Sequence, residues 1–113
     1  MKKIILALML LMPLMSCSGD KFNAENTNKQ LMGQWVHRDY TNAVIYKYVF
    51  SQDFTLNSYY NSEGSLVPNY VDVKYTLTDD NINLSTSGSI EYRLAYGLLY
   101  LKIGGSVIGF SRN

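Results

Sequence analysis

The 113-residue chain has one cysteine, Cys17, and one histidine, His37, so it cannot close an internal disulfide and has few residues suited to metal ligation. Charged residues make up only 17% of it and the formal net charge is +1, which leaves no basic excess to neutralise a phosphate backbone and argues against nucleic acid as a partner. There is no apolar run of the roughly 20 residues that a membrane-spanning helix needs. The longest such run is Ile4 to Met12, and it ends at Pro13. No internal repeat or low-complexity block is evident.

What is present begins with Met1-Lys2-Lys3, two positive charges ahead of that short apolar run, the pattern of a secretory signal peptide. Leu14-Met15-Ser16-Cys17 follows, and it resembles the lipobox of bacterial lipoproteins: an aliphatic residue, a tolerant position, a small residue, then the cysteine. The resemblance implies removal of residues 1–16 and lipidation of Cys17 by diacylglyceryl and N-acyl (palmitate-class) chains. Each buried methylene contributes about 0.8 kcal/mol, so two or more chains hold a protein to a bilayer stably. Ser18, where an aspartate would favour the inner membrane, implies an outer-membrane address. Without Lys2 and Lys3, eight basic residues face nine acidic ones, a balance of −1.

Residues 17–29 are polar, with a single Phe22, and bury too little apolar surface to offset their ordering entropy; they read as a tether. A short helix over Ala24 to Met32 is the one helical alternative. Residues 30–113 read as an all-β domain. β-Branched and aromatic residues recur between turn residues, and predict strands over Gly33 to Arg38, Val44 to Ser51, Phe54 to Tyr60, Asn69 to Thr78, Asn81 to Ser85, Ile90 to Tyr96, Leu98 to Ile103 and Ser106 to Arg112. Most breaks are too short for a crossover helix, which predicts antiparallel pairing of sequential neighbours. Val71, Val73, Tyr75 and Leu77 are expected on one face, with Asp72, Lys74, Thr76 and Thr78 on the other. The expected architecture is an up-and-down meander of about eight short strands, closed or partly open as a barrel.

Gly33-Gln34-Trp35 opens the first predicted strand, and Phe110-Ser111-Arg112 closes the last. This pair resembles the lipocalin arrangement, in which an arginine of the final strand lies over the indole. Leu31, Gly33 and Trp35, then Phe50, Asp53 and Thr55, then Tyr75-Thr76-Leu77 also resemble the shorter lipocalin-like lipoprotein domains of Gram-negative bacteria, with Phe54 where that pattern has glycine. The likeness spans about Leu31 to Arg112. It implies structural roles for Gly33, Trp35 and Arg112, and a fold that hosts many unrelated functions.

The chemistry-bearing residues are sparse. His37 reads as a surface histidine at a strand end, Asp79-Asp80 as a polar turn, and no serine has a histidine beside it in a recognisable nucleophile motif. Asp72 and Glu91 are the carboxylates that strand pairing could bring together, although both oppose the apolar face of their strands. No cofactor or metal is expected, and no catalysis. Ten tyrosines are the conspicuous feature. Tyr46, Tyr48, Tyr75 and Tyr92 are the candidate ligand or partner surface, since rings can stack on sugars or line an apolar cavity. An eight-stranded barrel is filled by its own side chains or holds one small ligand, and the sequence leaves both open. The expected function is a non-catalytic, envelope-anchored binding or protein-interaction module. Its partners are the membrane, through Cys17, and a protein, a glycan or a small apolar molecule. A carrier of such a ligand, or a hydrolase inhibitor using a loop at Asn61 to Pro68, is the alternative.

Overall fold

Alternation of apolar and polar residues, interrupted by short turns, produces the expected fold: eight antiparallel strands in sequential order, closed into one barrel. A computed structural model describes residues 22–86 and 88–113; the signal segment and Cys17 lie outside the described residues. The elements are α1 (Ala24–Leu31), β1 (Gly33–Arg38), β2 (Val44–Phe50), β3 (Thr55–Ser62), β4 (Ser65–Leu77), β5 (Asn81–Leu84), β6 (Ser89–Ala95), β7 (Leu98–Ile103) and β8 (Ser106–Arg112). Closure comes from β8 pairing with β1, at Ser111 with Val36 and Arg112 with Trp35.

Inward positions form one core: Trp35, Tyr48, Phe50, Leu56, Val73, Tyr75, Leu77, Ile82, Leu84, Ile90, Tyr92, Leu99, Leu101 and Phe110, joined by Leu31 from the helix. Aromatic edges and faces interlock inside it. Tyr48 meets Phe110 edge-on at 5.3 Å between centroids, and Phe50 meets Tyr75 edge-on at 5.8 Å. The barrel interior is thus occupied by side chains.

The tether reading needs correction from Ala24 onward. Asn23 caps α1 by accepting from the Asn26 amide at 2.9 Å, with Glu25 in the first turn and Lys29 in the last. Although polar in composition, the helix buries Leu31 and Asn28 against one end of the barrel. The Asn28 amide donates to Ser51 O at 3.0 Å, and its carbonyl accepts from the Tyr75 hydroxyl. A buried amide with both ends satisfied tolerates the interior, which is why a polar segment docks there.

Two strand predictions also change. β4 begins at Ser65 rather than Asn69, because the reversal needs only Glu63 (φ 52) and Gly64 (φ 89), the paired left-handed conformations of a tight hairpin turn. Asn61 steadies it, accepting from the Gly64 amide at 3.1 Å and donating to Val44 O at 3.0 Å. The expected loop from Asn61 to Pro68 is therefore paired strand. Further along, Leu56 faces Val73 while Ser58 faces Tyr70, so β4 carries an extra residue. Asp72 takes it up at φ 49, held by its amide donating to Asn57 Oδ1 at 3.0 Å. This bulge breaks the expected parity: Val71 turns outward, 63% exposed, while Tyr70 packs against the core.

Candidate functional site

The junction of first and last strands is where the sequence motif meets geometry. Arg112 stacks on Trp35, with its guanidinium carbon 4.1 Å from the ring centre. Its two terminal nitrogens donate to Gln30 O and Met32 O, at the end of α1. The Trp35 indole donates to Leu31 O at 2.7 Å. Helix carbonyls without intrahelical partners are thus satisfied by one cation and one indole. Gly33 is required here: its φ of 111 is unfavourable for a side chain, and a Cβ would lie 3.0 Å from the Arg112 nitrogen. Gly33, Trp35 and Arg112 come together as one structural lock, and no reactive group is among them.

His37 is not the surface residue expected. It shares the inward side of β1 with Trp35, its ring 6.0 Å from Phe110 and 6.2 Å from Tyr46, and its Nδ1 is 3.0 Å from Gly109 O. That contact joins β1 to β8 beyond the two residue pairs of their ladder. Only the position parity with Trp35 could have signalled this.

The four singled-out tyrosines do not form one surface. Tyr48, Tyr75 and Tyr92 are buried, and Tyr46 is half-buried. Burial pushes the Tyr48 hydroxyl up to about 12, with Tyr70 and Tyr46 adding to the effect. Burial likewise raises Tyr75, and the Asp53 charge adds to it; Tyr92 rises by burial and the nearby Asp79 and Asp80. The Tyr92 hydroxyl donates to Thr78 O at 2.7 Å. Their alternation with polar residues placed these rings in the core, where they are committed to packing.

The exposed aromatic surface is elsewhere. The outer wall formed by β6, β7 and β8 carries an open groove of about 540 Å3, lined among others by Arg93, Tyr96, Tyr100, Lys102 and Val107. Tyr96 is 90% exposed and Val107 69% exposed. Tyr100 faces Gly109 across the β7–β8 ladder, and its ring packs over the bare backbone there. Glu91 and Asp80 complete the rim, and Lys102 pairs with Glu91 at 3.9 Å. Sequence reasoning missed this groove, although Tyr96-Gly97 between two strands already placed a large ring at a turn.

Asp72 and Glu91 do not converge. Glu91 lines the aromatic groove, whereas Asp72 lies with Asp53 in a polar cleft of about 610 Å3 beside β3 and β4. Asp72 Oδ1 accepts from the Asn57 amide at 3.3 Å, and Asp53 pairs with Lys74 at 3.5 Å. Asp79 and Asp80 sit in the exposed turn before β5, where Asp80 Oδ1 accepts from Thr78 Oγ1 at 3.1 Å. Among the described residues, no three His, Cys, Asp or Glu side chains cluster as a metal site, and no helix is long and apolar enough to cross a membrane.

No family model, curated protein or solved structure matches this chain.

Proposed function

We propose that this chain is a lipid-anchored, non-catalytic binding module of the bacterial envelope, related to the small lipocalin-like lipoproteins, which engages its target through the outer wall of the barrel. The observation that carries this reading is a contrast. The interior is taken up by packed aromatic and aliphatic side chains, with α1 seated over one end, while the outer groove of about 540 Å3 leaves Tyr96 and Val107 exposed. Exposed rings beside arginine are the composition that binding surfaces favour.

The anchor is supported by the signal-like first residues and by the lipobox-like Leu14 to Cys17. Five residues separate Cys17 from the helix cap at Asn23, a reach of about 20 Å at most when fully extended. The α1 end of the barrel is thereby held close to the membrane, with Ser18 favouring the outer one.

A carrier function has one feature in its favour. At the end away from α1, His37, Tyr46 and Tyr70 are only half-buried, with the His37 and Tyr46 rings 6.2 Å apart.

Native mass spectrometry of protein extracted from its own membranes separates the two readings. A partner or ligand that accompanies the wild type and is lost from Tyr96→Ala/Tyr100→Ala supports the outer-wall reading. A small apolar molecule retained by that variant contradicts it and makes the chain a carrier.

A further inference from the structure

Tyr96 occupies a position that neither packing nor turn geometry explains. It is the first residue of the two-residue turn joining β6 to β7, at φ 58, followed by Gly97 at φ 75. Such turns favour Asn, Asp or Gly at the first position, and a bulky side chain there is strained. The ring gains no burial in return, being 90% exposed. Strain retained without a packing benefit marks candidate functional positions.

Its surroundings specify a ligand chemistry. The ring stands between the outer groove and a smaller cleft of about 340 Å3 at the α1 end, lined by Trp35, Leu98 and Arg112 among others. In the groove, Tyr100 provides a second, half-buried ring, which lies with one side against the bare backbone of Gly109 across the ladder. The rim carries Arg93 and Lys102 against Asp80 and Glu91, a balance of zero with donors and acceptors both present. An anionic ligand meets the two carboxylates, and a cationic one meets the two basic groups. A neutral molecule with an apolar face and a hydroxylated edge meets the rings and both kinds of polar group favourably. A pyranose ring has that form: axial C–H groups on its faces and hydroxyls around its rim.

We propose that the outer groove binds a neutral oligosaccharide, with Tyr96 and Tyr100 stacking on pyranose faces and Arg93 and Glu91 hydrogen-bonding the hydroxyls. This rests on the outer wall being the binding face.

Saturation-transfer NMR tests it on the full lipidated protein in a zwitterionic detergent, with chitotriose, cellotriose and maltotriose as probes. The expected result is transfer to the pyranose C–H protons of at least one trisaccharide, with a Kd on the order of 1 mM or tighter. Tyr96→Asn suits the turn better than tyrosine, so it is expected to keep or raise the melting temperature while weakening that binding at least about tenfold. Absence of transfer from all three probes at about 10 mM overturns the proposal. Binding that Tyr96→Asn leaves unchanged also overturns it. Capture of a protein at Tyr96 and Tyr100 without sugar binding overturns the glycan assignment and leaves the outer-wall reading standing, whereas a ligand found inside the barrel overturns both.

Discussion

Arg112, the penultimate residue, lies 4.1 Å from the ring centre of Trp35 near the start of the first strand, and the same guanidinium ties down the last carbonyls of α1. One side chain therefore closes the barrel and fastens the helix over its end. Trp35 is 2% exposed, so Trp35→Ala is expected to cost about 3 to 5 kcal/mol in urea unfolding. Arg112→Ala is expected to cost about 1 to 3 kcal/mol, from the lost stacking and two charge-assisted hydrogen bonds. A double-mutant cycle should return a coupling of about 0.5 kcal/mol or more, and additive effects would contradict the lock.

Gly33→Ala tests the same lock by strain alone. A side chain at φ 111, 3.0 Å from the Arg112 nitrogen, is expected to cost about 1 to 3 kcal/mol. In an Arg112→Ala background the steric part of that cost should disappear and the conformational part remain.

Stability should fall in alkali beyond what unburied tyrosines produce. Tyr48, Tyr75 and Tyr92 all have folded-state values raised above the ordinary 10, with Tyr48 at about 12. Below pH 10 the hydroxyls are protonated in both states and the contribution is complete. Above pH 10 the unfolded chain ionises first, so stability declines progressively toward and beyond pH 12. Urea midpoints measured from pH 8 to 11 should be flat and then drop, and Tyr48→Phe should make the drop shallower.

β4 pairs with β5 only from Tyr75 to Leu77, so its outer end presents an unladdered edge with Leu66 40% exposed. Pro68 sits on this stretch and removes one backbone donor, a device that discourages edge-to-edge association. Pro68→Thr is expected to raise self-association in sedimentation velocity, with little change in the monomer's circular dichroism. A variant that stays monomeric at high concentration would show that the edge is protected by other means.

Cys17→Ala should abolish acylation and either release the protein from membranes or stall its processing. Intact mass spectrometry of the membrane-extracted wild type should give a chain beginning at Cys17 with acyl mass attached. Membrane attachment that survives the substitution would contradict the anchor.

Much of the fold was legible because its signals are local. Alternation fixes the order of eight strands, and Gly33, Trp35 and Arg112 mark the closure in the sequence itself. What stayed hidden depends on contacts between distant segments. Asn28 looks like tether until Tyr75 and Ser51 are seen to satisfy its amide, and the outward turn of Val71 follows from a bulge at Asp72 that Asn57 stabilises. The candidate surface fell on rings that are buried or half-buried for a related reason. Tyrosines on alternating strand positions are the ones most readily buried, whereas Tyr96 is informative because it breaks the pattern in a turn. Gly109, whose bare backbone lets the Tyr100 ring lie against it, has no meaning until β7 and β8 are paired.

The most direct test of the outer-wall proposal is backbone-amide chemical-shift mapping with a trisaccharide probe or a co-purifying partner. The outer-wall account predicts perturbations concentrated at Arg93, Tyr96, Tyr100, Lys102 and Val107, with the amides of Tyr46, Tyr48 and Ser58 unmoved. Perturbations centred on Tyr46, Tyr48 and Ser58, with Tyr96 and Tyr100 silent, would contradict it.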